Sequence, residues 1–317
     1  MDTINIYKLL ADIHNQIEDS ILCFIKPSIK LYDLRLFIEE QIGLKINQLD
    51  FTEKGIAFPV GININHCAAH DSPIEKSDTR KITKDDVIKI DYGIHINGLI
   101  LDAAFTVCFK DDYRDLLETT RKACMESAKL FYPNTPISNI SKKIQSIVSN
   151  KYSTLTNLCG HQIQPYKIHS GKVIPNIIIP YPEKILEGEI YTVEPYLSTS
   201  KTNKGETFES NSKDNISHYM FNYHEKDYEK HLNFLKLIPT INHHKTLAFH
   251  RSWLNEKDSK YLNGLIQKGL YKEYPPIFDK DELAKVAQFE TTILVTNKEP
   301  IILKNYDNVD KYILLGK

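Results

Sequence analysis

The chain has 317 residues, of which 41% are hydrophobic and 26% charged, and its formal net charge is −1 at pH 7. This composition is typical of a globular protein with a large core, and the balanced charge argues against a nucleic-acid footprint. The five cysteines are odd in number and contain no CxxC pair, which argues against disulfide frameworks and zinc knuckles and favours a reducing compartment. No apolar run approaches the ~20 residues of a membrane span. We therefore expect a cytoplasmic protein.

Two amphipathic helices are predicted before any strand. Apolar residues recur at helical spacing over residues 1–25, and again over about 31–42. Pro27 separates the two patterns, and Gly43 is expected to end the second helix in the position that a C-cap prefers. Because both helices precede the strands, we expect them to cover one face of a sheet.

Residues 55–70 read GIAFPVGININHCAAH. Their alternation, together with Pro59, predicts an edge strand that is followed by a buried strand ending at His70. A lone histidine is more often structural than functional, so His70 alone decides nothing. The polar run 75–86 predicts a loop.

The stretch 87–109 reads VIKIDYGIHI, then Asn97-Gly98, then LILDAAFTVCF. Asn-Gly between alternating apolar runs predicts a two-residue hairpin, because both turn residues must adopt positive φ. This register puts Asp91 and Asp102 diagonally on one face, roughly 7–8 Å apart at Cα, while the other face is nearly pure hydrocarbon. Two carboxylates directed into one space repel each other unless a proton or a cation lies between them. On an exposed sheet they would simply be solvated.

Helices predicted over 111–131 and 137–150 lead into a second group of strands. In the segment 160–172, His161 and His169 are eight residues apart, so on an extended chain they would share one face. The order of helix pair and strands repeats that of the first half, which suggests two related halves.

Two acidic residues interrupt the last predicted strands. Over 187–200 an apolar strand ends at Glu194, and over 286–296 Glu290 interrupts the strand as Asp102 interrupts its own. Both residues are therefore expected to lie among buried strands.

The composition changes between these two strands, where helices are predicted at 228–238, about 244–254 and 258–270. We interpret residues 215–275 as an inserted helical subdomain within a single catalytic domain that spans 1–317.

The buried strands thus present four carboxylates and one imidazole: Asp91, Asp102, His161, Glu194 and Glu290. Structural zinc sites prefer cysteine and histidine, so this set has too many oxygens for one. It suits two divalent first-row cations, Mn, Fe, Co or Zn, roughly 3.5–4 Å apart. Such a pair activates a water and polarises a substrate oxygen, which is the chemistry of a hydrolase.

The chain resembles the type 2 methionine aminopeptidases, M24 metallopeptidases with the pita-bread fold. The resemblance covers nearly the whole chain, with specific motifs in the family's order: FPVGININHCAAH, KIDYGIHINGLILDAAFTV, GHQIQPYKIHSGKVIPN, EGEIYTVEPYLST, SHYMFNY, LAFHRSWL, EYPP and AQFETTILV. It implies an α+β architecture, in which a pseudo-twofold antiparallel sheet is covered by helices and interrupted by a helical insertion.

The resemblance also implies a function, the co-translational removal of the initiator methionine, with a preference for small residues after it. Two divalent ions (Co, Mn, Fe or Zn) would be held by Asp91, Asp102, His161, Glu194 and Glu290. Glu194 would also be the general acid/base, His169 would stabilise the tetrahedral intermediate, and His70 would contact the scissile amide. The methionine side chain would be surrounded by Phe58, Ile168, His218, Ala248 and Tyr274, and His70 and His169 would also bind the substrate.

By the same resemblance, the substrates are the N-termini of nascent peptides. The sequence shows no long charged N-terminal extension like that of many eukaryotic members, so a ribosome contact is left open, as is the metal used in the cell. We expect a monomer. One alternative is an X-Pro aminopeptidase of the same fold, which shares the ligand plan but is disfavoured by the insertion and the FPVG…CAAH segment. Another is a non-catalytic ribosome- or RNA-binding relative; such proteins lose metal ligands, and here all five are present.

Overall fold

The computed structural model describes residues 1–148, 150–201, 205–222 and 238–317. Among these residues no helix combines the length and the apolar character that a membrane span requires. The α-helices of the described ranges are α1 Thr3–Phe24, α2 Leu31–Ile46, α3 Arg114–Ala128, α4 Ile137–Val148, α5 Pro239–His244 and α6 Glu256–Gln267. The strands are β1 Lys54–Ile64, β2 Cys67–Ala69, β3 Val87–Ile96, β4 Leu99–Cys108, β5 Ser153–Thr154, β6 Cys159–Ile163, β7 Val173–Pro175, β8 Ile190–Val193, β9 Tyr196–Ser198, β10 Thr207–Glu209, β11 His218–Phe221, β12 Phe249–His250, β13 Tyr271–Tyr274, β14 Ile277–Asp279, β15 Val286–Gln288, β16 Thr291–Leu294 and β17 Ile301–Ile302.

The predicted hairpin is β3 and β4, and its register is confirmed. Ile96 pairs with Leu99 across the turn, and Gly93 pairs with Asp102. The apolar face of the hairpin packs under α1, where the ring of Tyr92 stacks on that of His14 at 4.1 Å between centroids. Fully burying one large aliphatic side chain contributes about 1.5–3 kcal/mol. A face made of such residues therefore fixes the two strands firmly.

The edge strand of this sheet is β1, as Pro59 predicted, because the strand order is β1-β3-β4. The pairing of β1 with β3 shifts register on both sides of Phe58, between Ile56 and Gly61. The prediction that Gly43 ends α2 is wrong. The helix continues to Ile46, because Ile42 and Ile46 lie one turn apart and both bury their side chains.

The second half forms a five-stranded sheet in the order β17-β16-β8-β6-β7, covered by α3 and α4. The two halves meet at a bridge between Ala104 on β4 and Glu290, in which the Glu290 N–H donates to the Ala104 carbonyl at 2.9 Å. The Tyr306 hydroxyl lies 2.6 Å from the Glu290 carbonyl and 2.9 Å from that of Ala104. The bridge therefore joins the hairpin to the strand break that contains Glu290.

The segment 215–275 contains a small sheet that the sequence analysis did not predict. Its strand order is β12-β11-β13, and His218 pairs with both His250 and Tyr274. The helix predicted at 258–270 is α6, displaced by a few residues, whereas a helix over 244–254 is wrong. That segment instead pairs with β11 and buries Phe249, because its apolar residues match a sheet edge. Most of the helix predicted at 228–238 lies outside the described residues, and the proposed subdomain boundary stays a prediction.

His250 makes the stability of this region dependent on pH. Burial and the nearby Arg35 guanidinium lower the pKa of His250 to about 3. The unfolded chain therefore binds a proton below pH 6.5 that the folded chain does not, and stability is lost as the pH falls. We expect the His250→Asn variant to gain about 2 kcal/mol in unfolding free energy relative to wild type between pH 7.5 and pH 5, measured by urea titration. The exposed His243→Asn variant is the control, and equal pH dependence in all three proteins would contradict the assignment.

Candidate active site

All of the predicted site residues line one cavity of about 740 Å³. They are Phe58, His70, Asp91, Asp102, His161, Ile168, His169, Glu194, His218, Ala248, Tyr274 and Glu290. The first half of the chain contributes the hairpin β3–β4. The second half contributes β6 and the breaks after β8 and β15, which contain Glu194 and Glu290, and the segment 215–275 contributes β11 and β13. Residues separated by as much as 232 positions along the chain therefore meet at one place.

Three of the proposed metal ligands form a compact group. Asp102, His161 and Glu290 each offer one ligand atom, and these atoms lie within 4.8 Å of one another. The Nε2 atom of His161 lies 3.5 Å from Asp102 Oδ2 and 3.6 Å from Glu194 Oε1. Asp91 completes the set, because it and Glu290 share one hydrogen-bond donor, described below. The structure thus brings all five side chains together.

The local backbone explains how these side chains reach the cavity. Asp91 and Asp102 lie diagonally across β3 and β4, on the face opposite the apolar one. Glu194 directly follows β8 and precedes Pro195, which cannot donate to a strand ladder. Glu290 lies between β15 and β16. Each of the two glutamates therefore occupies a break where pairing passes from one strand to the next.

The four carboxyl groups of the site lie so close together that protons or cations would stabilise them. Burial raises the pKa of Asp91 to about 7. Burial, followed by repulsion from neighbouring carboxylates, raises the pKa values of Asp102, Glu194 and Glu290 well above their usual range. Burial also lowers the pKa of His161, which keeps its imidazole neutral. Without protons or cations, four charged groups in this space would repel strongly.

Unsatisfied oxygen atoms give a direct test of whether divalent cations fit. Asp91 Oδ1, Asp102 Oδ1 and Glu290 Oε1 are buried and have no hydrogen-bond partner among the described residues. A buried acceptor without a partner costs free energy, and a bound cation would remove that cost. Carboxylates with one neutral imidazole are suitable ligands for Mn, Fe, Co or Zn. The residues present therefore fit a divalent metal centre.

His169 reaches the site by a route that the sequence analysis did not foresee. The expectation that His161 and His169 share one face of an extended chain is wrong, because β6 ends at Ile163 and the chain then turns. Their rings nevertheless meet edge to face, 4.3 Å apart between centroids. The His169 side chain is exposed in the cavity wall, and desolvation by the protein around it lowers its pKa to about 4.

His70 also lines the cavity, where its ring lies 5.6 Å from that of Tyr274 on β13. Its φ is +64°, and its Nδ1 lies 3.3 Å from the carbonyl oxygen of Pro275. A carbonyl only accepts, so Nδ1 holds the ring proton and Nε2 is left as an acceptor. Burial lowers the pKa of His70 to about 4, so the imidazole is neutral at pH 7.

An apolar recess adjoins the metal ligands. Ile168 and Ala248 belong to one cluster of buried side chains, and Phe58 and Tyr274 pack against it. The Phe58 ring lies on Gly93, where an added Cβ would come within 2.2 Å of it. The cluster also contains Met220, which the sequence analysis missed. Its position two residues after His218 on β11, hence on the same face, is the signal that could have identified it.

Gln288 is a second residue that the sequence analysis missed. Its Nε2 donates to Asp91 Oδ2 at 3.3 Å and to Glu290 Oε2 at 3.1 Å, so one buried amide holds two of the carboxylates. Two residues before Glu290, it lies on the same side of the strand, and this spacing was visible in the sequence. Gln288 thus orients two proposed ligands, one from each half of the chain.

The model of metallopeptidase family M24 matches residues 5–297 of this chain. The chain belongs to that family. A methionine aminopeptidase 2 from Dictyostelium discoideum is 32% identical to this M24 protein over 325 residues, covering 96% of this chain and 72% of the relative.

Two solved structures show the same pita-bread fold. A thermophilic Arx1 superposes with a TM-score of 0.78 at 17% identity, covering 98% of this chain and 94% of that one. A methionine aminopeptidase from Thermotoga maritima gives a TM-score of 0.65 at 16% identity, with 95% of each chain covered. The predicted α+β architecture and the predicted family are both confirmed.

If Gln288 orients the ligands, its loss should weaken metal binding without unfolding the protein. We expect Gln288→Met to reduce the affinity for Co²⁺ or Mn²⁺ by about tenfold or more, because partners that orient ligands typically contribute that much. The measurement is calorimetric titration of metal-stripped protein. Gln267→Met, on the exposed side of α6, is the matched control and should bind as wild type does. An unchanged affinity in Gln288→Met would show that the amide does not organise the site.

Proposed function

We propose that this M24 protein is a type 2 methionine aminopeptidase, which removes the initiator methionine from nascent chains. The observation that supports this most directly is the single cavity in which the five proposed ligands adjoin an apolar recess with two neutral histidines. The recess would hold the flexible thioether of the substrate. The function agrees with the M24 match and with the methionine aminopeptidase 2 relative.

The metal centre follows from the same ligands. Asp91, Asp102, His161, Glu194 and Glu290 would hold two divalent cations of Co, Mn, Fe or Zn. When bound, such cations lower the pKa of a water and polarise the substrate carbonyl. The paired acidic residues of both halves supply the negative charge that two dications need.

Glu194 is suited to move the proton that hydrolysis transfers. Its Oε1 lies 3.6 Å from His161 Nε2, so a carboxylate oxygen of Glu194 would lie close to a water activated at the proposed metal centre. Glu194 would accept a proton from the attacking water as the new C–O bond forms, and would pass it to the amine nitrogen as the C–N bond breaks. The proton is thereby transferred within the cavity, and the products are free methionine and the shortened peptide.

The two histidines would act as neutral hydrogen-bonding groups. His169 would donate an N–H to the oxygen that becomes negative in the tetrahedral intermediate. His70, whose Nε2 is free to accept, would receive the N–H of the scissile amide. Because burial lowers both pKa values to about 4, neither role requires the ring to change its protonation state at neutral pH.

The remaining assignments complete the proposal. The substrates would be the N-termini of newly made proteins in the cytoplasm, and small residues after methionine would be preferred. The chain would act as a monomer, with 215–275 as a subdomain inserted in one catalytic domain. The likeness to Arx1 extends to the fold alone, and the complete ligand set favours a catalytic protein over a non-catalytic one.

Peptide hydrolysis tests the proposed function. We expect metal-restored protein to release methionine from Met-Ala-Ser and to leave Ala-Pro and Leu-Ala peptides largely intact, because the apolar recess selects the first side chain. Chelation should abolish the activity, and Co²⁺ or Mn²⁺ should restore it. Amino acid release is measured by chromatography. Cleavage confined to X-Pro bonds, or none with any of the four metals, would refute the proposal.

The role of Glu194 can be tested separately. We expect Glu194→Gln to lower kcat by about 10²-fold or more, because the variant loses the group that transfers the proton. Circular dichroism and thermal unfolding should stay close to wild type, and metal content should be measured in parallel. Glu187→Gln, in the exposed turn before β8, is the control. Retained turnover in Glu194→Gln would remove this residue from the mechanism.

A further inference from the structure

A tight turn connects β6 to the residues that line the cavity. The Gln164 N–H donates to the Lys167 carbonyl at 3.0 Å, and the Lys167 N–H donates back at 2.8 Å. Within the turn Tyr166 has a φ of +61°, which a tyrosine rarely adopts. Ile168 and His169, both in the cavity wall, follow immediately. The turn therefore determines the positions of Ile168 and His169 in the cavity wall.

The hairpin tip supports Tyr166 from one side. The Tyr166 N–H donates to the Gly98 carbonyl at 2.9 Å. Its ring lies directly over Gly98, so that an added Cβ would come within 2.3 Å of the ring. Gly98 also has a φ of +78°, which its place in the hairpin turn requires. The glycine thus serves two purposes, the turn and the close approach of the ring.

The segment 215–275 holds Tyr166 from the other side. Lys245 Nζ lies 4.4 Å from the centroid of the Tyr166 ring and 3.3 Å from its hydroxyl oxygen. The same ammonium lies 2.5 Å from Glu53 Oε1, just before β1. The Thr246 hydroxyl donates to the Tyr166 carbonyl at 2.6 Å. These contacts join three parts of the chain through one aromatic side chain.

Both walls of the apolar recess start from this junction. Ile168 follows Tyr166 by two residues, and Ala248 follows Thr246 by two residues. Ile168 and Ala248 belong to the same buried cluster, against which the Tyr166 ring also packs. A shift of the ring would therefore move both walls relative to each other. Lys245 directly follows α5 and has a φ of +54°, a backbone conformation that lysine rarely adopts.

We propose that Tyr166 is a positioning residue through which the inserted segment sets the width of the methionine recess. This inference rests on the proposed function only for the identity of the first substrate residue. Of the five proposed metal ligands, His161 is the one on β6, five residues before Tyr166, and the other four lie on β3, on β4 and in the breaks after β8 and β15. None of the contacts of Tyr166 described above involves one of these five side chains, so we expect the contact of Tyr166 with Lys245 to affect selectivity and not metal binding.

The first test measures the junction without relying on activity. Hydrogen exchange of the full-length protein is compared between wild type, Lys245→Met and Tyr166→Leu. We expect faster exchange in segments 164–169 and 245–248 of both variants and unchanged exchange in α3. Lys129→Met removes the exposed lysine directly after α3 and is the control. Unchanged protection of both segments would overturn the proposal, whether or not the protein cleaves methionine.

The second test measures selectivity. We expect the ratio of kcat/KM for Met-Ala-Ser over Leu-Ala-Ser to fall about tenfold in Tyr166→Leu, mainly through KM, because small changes of fit in an apolar pocket have effects of that size. Tyr166→Phe keeps the ring and its contact with Lys245, so this variant should retain most of the wild-type ratio of kcat/KM values. Co²⁺ affinity should equal that of wild type in every variant. A ratio that stays unchanged in Tyr166→Leu, or a fall that is explained by lost metal, would refute the positioning role. Wild-type protein that releases no methionine would instead refute the proposed function.

Discussion

Repulsion between four buried carboxyl groups is the constraint on which the site depends. Burial raises the pKa of Asp91 to about 7. Burial, followed by repulsion from neighbouring carboxylates, raises the pKa values of Asp102, Glu194 and Glu290 well above their usual range. A flexible chain would relieve this repulsion by moving the groups apart. The hairpin prevents that movement, because its opposite face is fixed by helix packing and one amide from Gln288 holds two of the acids. The apolar core thereby supplies the free energy that keeps the charges close.

Burial also sets the protonation state of the two histidines that are proposed to contact the substrate. Burial lowers the pKa values of His70 and His169 to about 4, so both rings stay uncharged near a centre that would bind dications. A protonated ring there would be repelled by bound metal and would lose its ability to accept a hydrogen bond. The raised pKa values of the four acidic residues and the lowered pKa values of the two histidines thus have one main cause, which is desolvation by the surrounding protein.

Local patterns predicted the parts of the structure that depend on local geometry. Asn97-Gly98 fixed the register of β3 and β4, and with it the diagonal placement of Asp91 and Asp102. The helix over 244–254 failed because a short apolar run suits a helix and a sheet edge equally, and its partner β11 is remote in sequence. The meeting of His161 and His169 was expected for a wrong reason, since the turn at Tyr166 is held by contacts from other parts of the chain. The five proposed ligands were grouped from separate strands by the chemistry of their side chains, and the family resemblance then assigned their roles, because no single strand shows that they meet.

The bridge between Ala104 and Glu290 has a consequence for how the protein is made. Asp91 and Asp102 are synthesised early, His161 and Glu194 follow, and Glu290 comes last, after the segment 215–275. Until β15 and β16 dock beside β4, Asp91 and Asp102 lack the neighbouring carboxylate of Glu290 and the amide of Gln288. The proposed metal centre is therefore complete only after the last of its five side chains has been synthesised and has docked. The proposed aminopeptidase, which would act on nascent chains, would itself be inactive until most of its own chain had been translated.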